Sequence, residues 1–154
     1  NMGFQLDEQI RIVLINGDET FDQVFLKKCK ETLSDINYHI DVVKNIDNAF
    51  IKNIYDIYVI DGEFLGNNKT LEVIKFIRSK DKYGKIYVAS VLGNIDLLQK
   101  LSNVYTYIDG FINKEMLDFS SFVDHVIDIN EIRQRLMSIN KKIEIIQTLN
   151  RSIL

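Results

Sequence analysis

The sequence predicts an α/β fold, a doubly wound five-stranded parallel sheet with helices on both faces. Three observations lead there. Short apolar runs alternate along the chain with stretches whose apolar residues recur at helical spacing. The first, third and fourth runs are almost continuously apolar, as strands covered on both faces must be. Three runs also stop at a polar group: 56-DIYVID-61 at Asp61, 86-IYVAS-90 at Ser90 and 108-IDGFINK-114 at Lys114. In an open parallel sheet the carboxyl ends of the strands share one edge, and ligands bind in the crevice there. A carboxylate, a hydroxyl and an ammonium delivered to that edge make a small phosphoryl-handling site.

Each element has its own signal. Residues 10–16, IRIVLIN, read as a buried strand. Residues 19–34 carry an apolar helix face of Phe21, Phe25, Cys29 and Leu33, which makes Cys29 packing rather than a reactive thiol. The second strand is predicted at 38–43 and a short helix at 46–54. The third strand is 56–61. A helix over 69–81 uses Leu71, Ile74 and Ile77, with Asn68 as a cap. Gly84-Lys85 turns into the fourth strand, 86–90. A short helix over 94–103 uses Ile95, Leu98 and Leu101, and the fifth strand is 107–112. Asp118 is an N-cap residue type, and a helix is predicted from there to the end.

Composition narrows the function. A length of 154 residues suits one domain with an appended helix. A net charge of -3 leaves no basic footprint, so nucleic acid is not an expected direct partner. No apolar run is long enough to span a membrane, no signal peptide is evident, and one cysteine excludes an internal disulfide. The sequons at Asn68 and Asn150 are read as chance, and the cytoplasm is the expected location. Asn16-Gly17-Asp18 is too short for a phosphate loop or a dinucleotide fingerprint. No Cys/His cluster has metal-ligand spacing, and no nucleophile elbow is present.

With those residues in place, the chain resembles a response-regulator receiver domain of two-component signalling over about residues 9–130. The family carries a phosphoacceptor aspartate on strand three, a Thr or Ser on strand four and a lysine on strand five. Asp61, Ser90 and Lys114 match those positions, 29 and 53 residues separating the second and third from the first. Phe111 matches the family's switch aromatic. The resemblance implies strand order 2-1-3-4-5, a histidine kinase or small phosphodonor as partner, and Mg²⁺ as cofactor. The family pattern would hold the ion with Asp61 and the backbone carbonyl of Glu63, and Asn16 and Asp18 are the remaining candidates. The sequence departs from the family where two adjacent acidic residues usually end strand one, for here they are Asn16-Gly17. Glu115 stands where a proline usually follows the lysine. The alternative reading is a phosphorylation-independent pseudo-receiver, a dimerisation and protein-interaction module. A flavodoxin-like small-ligand binder is a third.

The last helix is longer than such a domain needs. In a heptad with Ile129, Leu136 and Ile143 at a, and Ile132, Ile139 and Ile146 at d, an apolar seam runs along it. Asp128 and Arg133 would pair across a parallel homodimer. The expected organisation is a lead-in at 1–8 that opens on an expression remnant, a receiver-like domain at 9–130, and a helical extension at 131–154. That extension is expected to link as a coiled coil to a downstream output domain, such as a diguanylate cyclase, outside this chain.

Overall fold

A computed structural model describes residues 9–15, 17–44 and 54–153. The strands are β1 (Ile10–Ile15), β2 (Tyr38–Val43), β3 (Ile57–Asp61), β4 (Lys85–Ser90) and β5 (Gly110–Asn113). The helices are α1 (Glu19–Thr32), α2 (Asn67–Lys80), α3 (Ile95–Leu101) and α4 (Ser120–Ile153). The five strands form one sheet in the order β2-β1-β3-β4-β5, every neighbouring pair parallel. Fold class and strand order are those expected from the sequence.

Side chains alternate across a strand, and β1 shows how that builds two cores. Ile10, Ile12 and Leu14 meet Phe21, Phe25 and Cys29 of α1 and Phe122 and Val126 of α4. Val13 and Ile15 belong to the opposite cluster, with Val73, Ile74 and Ile77 of α2 and Leu97 and Leu101 of α3. The sheet is therefore sandwiched, and its central strands are apolar on both faces. Burial pushes the Cys29 thiol up to about 12, which fits packing rather than reactivity.

Several expected boundaries move. The helix expected at 46–54 lies, apart from Ile54, outside the described residues. The fifth strand starts at Gly110 rather than 107, because residues Tyr105–Tyr107 wind into one 3-10 turn. Pairing starts where β4 offers partners, Tyr87 opposite Gly110. Gly110 also lies against the Tyr87 ring, where a Cβ would approach Cε2 to 2.4 Å. Asn68 does not cap α2. The helix begins one residue earlier, after Gly66 at φ 87°, a conformation that favours glycine. Asp118 precedes α4 by two residues, and its carboxylate accepts from the Ser120 N–H at 3.0 Å and from the Ser120 hydroxyl.

The long helix divides into two stretches. Phe122 and Val126 are buried and Ile129 packs against the same core. One turn later the Arg133 guanidinium bonds the Asp56 carboxylate and donates to the Gln9 carbonyl at 3.2 Å. Beyond it Leu136, Ile139, Ile143, Ile146 and Ile153 are exposed. Within one copy Arg133, expected to pair with Asp128 of a second, is engaged by its own domain, and Ile129, expected in the seam, packs against the core. No helix among the described residues is long and apolar enough to cross a membrane.

Candidate functional site

Asp61 closes β3 at the carboxyl edge of the sheet and is 0% exposed. A buried carboxylate must be paired and hydrogen-bonded to remain charged. Lys114 Nζ lies 2.9 Å from each of its oxygens. Backbone N–H groups of Glu63 and Phe64 donate to Oδ1 at 3.1 and 3.2 Å, and that of Asp18 to Oδ2 at 3.4 Å. Lys114 directly follows β5, and its N–H donates to the Ser90 carbonyl at 3.0 Å. That bond carries the β4–β5 ladder one residue further and brings the lysine to the edge. Ser90 sits one residue past Ala89, the register partner of Asp61, and is buried. Burial pulls the Lys114 pKa down. The hydrogen bond and charge of Asp61, aided by Glu63 and Asp18, more than reverse this and leave it above the ordinary lysine value.

Two further carboxylates flank the pair. Asp18 caps α1, its Oδ1 accepting from the Phe21 N–H at 2.7 Å, and its Oδ2 lies 3.5 Å from Lys114 Nζ. The Phe21 bond chiefly, then Lys114, hold its carboxyl below the usual range. Glu63 accepts from the Val91 N–H through Oε1, while Oε2 is buried with no partner among the described residues. Burial raises its carboxyl above the usual range, against the Val91 bond. The Glu63 backbone carbonyl already accepts from the Gly66 N–H at 3.3 Å. Phe111 stands on β5 with 48% of its surface exposed, so its ring is not core. Asn16 lies outside the described residues.

The end of β1 holds an arrangement the sequence reading missed. A Cβ on Gly17 would lie 2.1 Å from Asp22 Oδ1, so the Asp22 carboxylate fills the space a side chain at 17 would need. Asp22 is buried, and its Oδ1 has no partner among the described residues. Its Oδ2 is held by Lys44 Nζ, which also donates to the Gly17 carbonyl at 2.8 Å. A signal existed: Asp22 lies three and seven residues before Phe25 and Cys29, a carboxylate on the buried helix face.

Mg²⁺ takes near-octahedral oxygen coordination with one or two carboxylates and several waters. The donors here do not fit it. Lys114 spans both oxygens of Asp61, Asp18 is committed to a helix cap and to Lys114, and position 17 has no side chain. Among the described residues no group of three or more His, Cys, Asp or Glu is placed to hold a metal ion.

Comparison with solved structures identifies the fold. The signal receiver domain of an HD domain-containing protein from Pseudomonas fluorescens Pf-5 superimposes with a TM-score of 0.60 at 13% identity, over 90% of this chain and 98% of that one. A signal receiver domain of a histidine kinase from Clostridium thermocellum matches with a TM-score of 0.59 at 15% identity, over 81% and 98% of the two chains. The chain has the receiver-domain fold. A structure described as an adenylate cyclase from Rhodopirellula baltica shares this receiver-like fold, with a TM-score of 0.57 at 17% identity over 90% and 98%. No protein-family model and no curated protein matches the sequence. Within the receiver fold, the three strand-end residues singled out from the sequence, Asp61, Ser90 and Lys114, meet at one edge.

Proposed function

We propose that this chain is a regulatory receiver module in which Asp61 accepts a phosphoryl group from a partner histidine kinase or a small phosphodonor. One observation carries the reading. Asp61, fully buried at the carboxyl edge, is paired through both oxygens with an ammonium delivered by β5, with the Ser90 hydroxyl on the intervening strand. In the transfer an Asp61 oxygen attacks phosphorus in line. The donor's P–N or P–O bond breaks, and its electron pair leaves with the imidazole of a phosphohistidine, the ammonia of phosphoramidate or the carboxylate of an acyl phosphate. Lys114 and Ser90 then face the phosphoryl oxygens, whose charge needs neutralising.

The signal would leave through α4. The Lys114 ammonium sits over the Phe21 ring, 5.2 Å from its centre, and Phe21 stacks on Phe119 just before α4 at 6.4 Å. Rearranging Lys114 around a phosphoryl group would disturb that stack. The exposed seam of Leu136, Ile139, Ile143 and Ile146 supports pairing with a second copy and transmission to a downstream output domain. Phosphorylation is tested by intact mass after incubation with phosphoramidate or acetyl phosphate, using Asp61→Asn as control. Equal labelling of Asp61→Asn would remove Asp61 from the role.

A second reading, a pseudo-receiver that dimerises without phosphorylation, is favoured by one observation: Asp22 and Lys44 fill the corner beside Gly17. The same mass measurement separates the two.

A further inference from the structure

We infer that the acidic corner at the end of β1 is closed to divalent cations by an internal ammonium, and that Lys44 is the residue that closes it. This concerns the corner next to the proposed acceptor and bears on how that acceptor is regulated.

Three features lead here. The Asp22 carboxylate comes from α1 into the space above Gly17, so the chain supplies a carboxylate where the strand end supplies no side chain. The carboxylate is buried, with one oxygen lacking a partner among the described residues. Such an oxygen is costly unless something cationic compensates. Among the described residues the cation that meets this carboxylate is Lys44, which bonds the other oxygen and anchors itself on the Gly17 carbonyl. Lys44 follows β2 immediately and its side chain is 53% exposed, so it reaches in from the rim and can leave without disrupting the core. Lys114 plays the matching part on Asp61 and Asp18. Two lysines thus neutralise the carboxylates that a divalent ion would need. An ammonium carries one charge and donates hydrogen bonds, whereas Mg²⁺ demands a full oxygen shell. While Lys44 is seated, no such shell can assemble at Asp22.

Removing the lysine should open the corner. Lys44→Met leaves Asp22 with two oxygens beside the Gly17 carbonyl, all oxygen donors suited to a hard cation. The experiment titrates Mg²⁺ by calorimetry and Mn²⁺ by electron paramagnetic resonance into the whole chain, with no phosphodonor present. The wild type and Lys44→Arg should show no saturable binding. Lys44→Met should show saturable binding, with a Kd at least about tenfold below the highest ion concentration at which the wild type stays unbound, and Lys44→Met with Asp22→Asn should lose that gain. Saturable binding by the wild type, unchanged in Lys44→Met, would overturn the inference, and so would a folded Lys44→Met that gains nothing. Should Lys44→Met not fold, Lys44→Gln takes its place with the same expected gain, and a folded Lys44→Gln that gains nothing would overturn the inference equally. Because metal binding is read directly, failure of Asp61 to take phosphate leaves this result standing, and the reverse also holds.

Discussion

Asp56 and Asp61 bracket the same strand, and each carboxylate meets a cation from the last third of the chain. Their surroundings differ. Asp56, at the amino edge, accepts from the Arg11 N–H of β1 at 2.8 Å and bonds Arg133 of α4, so its partners lie on rigid elements. Asp61, at the carboxyl edge, takes its partners from the segments that follow β1, β3 and β5. The first arrangement is a latch that fixes where α4 leaves the domain. The second can rearrange around added oxygens without unpicking the sheet. The same chemical pair thus anchors a helix at one edge and, under the proposed function, would handle a ligand at the other, where the crevice rule for parallel sheets puts binding.

The comparison can be broken at either end. The largest effect is expected from Lys114→Met, which strands a fully buried carboxylate. Breaking a buried pair from one side costs about 3–5 kcal/mol, and the backbone donors to Asp61 should keep the loss near the low end. Chemical denaturation would measure it, and a loss below that of Asp56→Ala would contradict the ranking. Asp56→Ala removes a partly exposed pair and a bond to the β1 backbone, and should cost about 1–2 kcal/mol. It should also raise hydrogen exchange in α4 around Arg133, while leaving the Asp61 site unchanged. Unaltered exchange there would mean the latch does not hold the helix.

The pH dependence comes next. The folded-state pKa of Lys114 is raised above its ordinary 10.5. Its contribution is therefore fully present below about pH 10.5 and is lost as pH climbs through the folded value. Stability should fall more steeply above pH 10.5 in the wild type than in Lys114→Met, as denaturation at stepped alkaline pH would reveal. Parallel curves would argue that the pair contributes little. The smallest effect on the domain itself is expected from Ile139→Asp, within about 0.5 kcal/mol, because the residue is exposed and remote from both pairs. Sedimentation should nonetheless shift toward monomer. An unmoved profile would mean the seam beyond Arg133 does not join two copies.

The sequence made the carboxyl edge legible and the amino edge illegible, for a physical reason. Asp61, Ser90 and Lys114 each end an apolar run, so the pattern marks both the strand and its last polar residue. Asp56 begins such a run, where a polar residue reads as ordinary boundary. Arg133 fits a heptad charge position as well as it fits a latch, and periodicity cannot tell a helix face turned to its own domain from one turned to another copy. Lys44 and Asp22 are 22 residues apart and meet only because β2 lies beside β1. Tyr105 and Tyr107 look like strand residues, yet they lie outside the β4–β5 ladder and wind into a turn. Asp18, expected among the metal ligands, stands directly before a helix and caps it, a role the capping rule for that position would have pointed to.

Intact mass after exposure to phosphoramidate tests the central claim most directly. The account predicts a gain of one phosphoryl group in the wild type and none in Asp61→Asn, with both proteins folded by circular dichroism. No gain in the wild type, under conditions that label an ordinary receiver with and without Mg²⁺, would contradict it and leave the helix seam as the site of function.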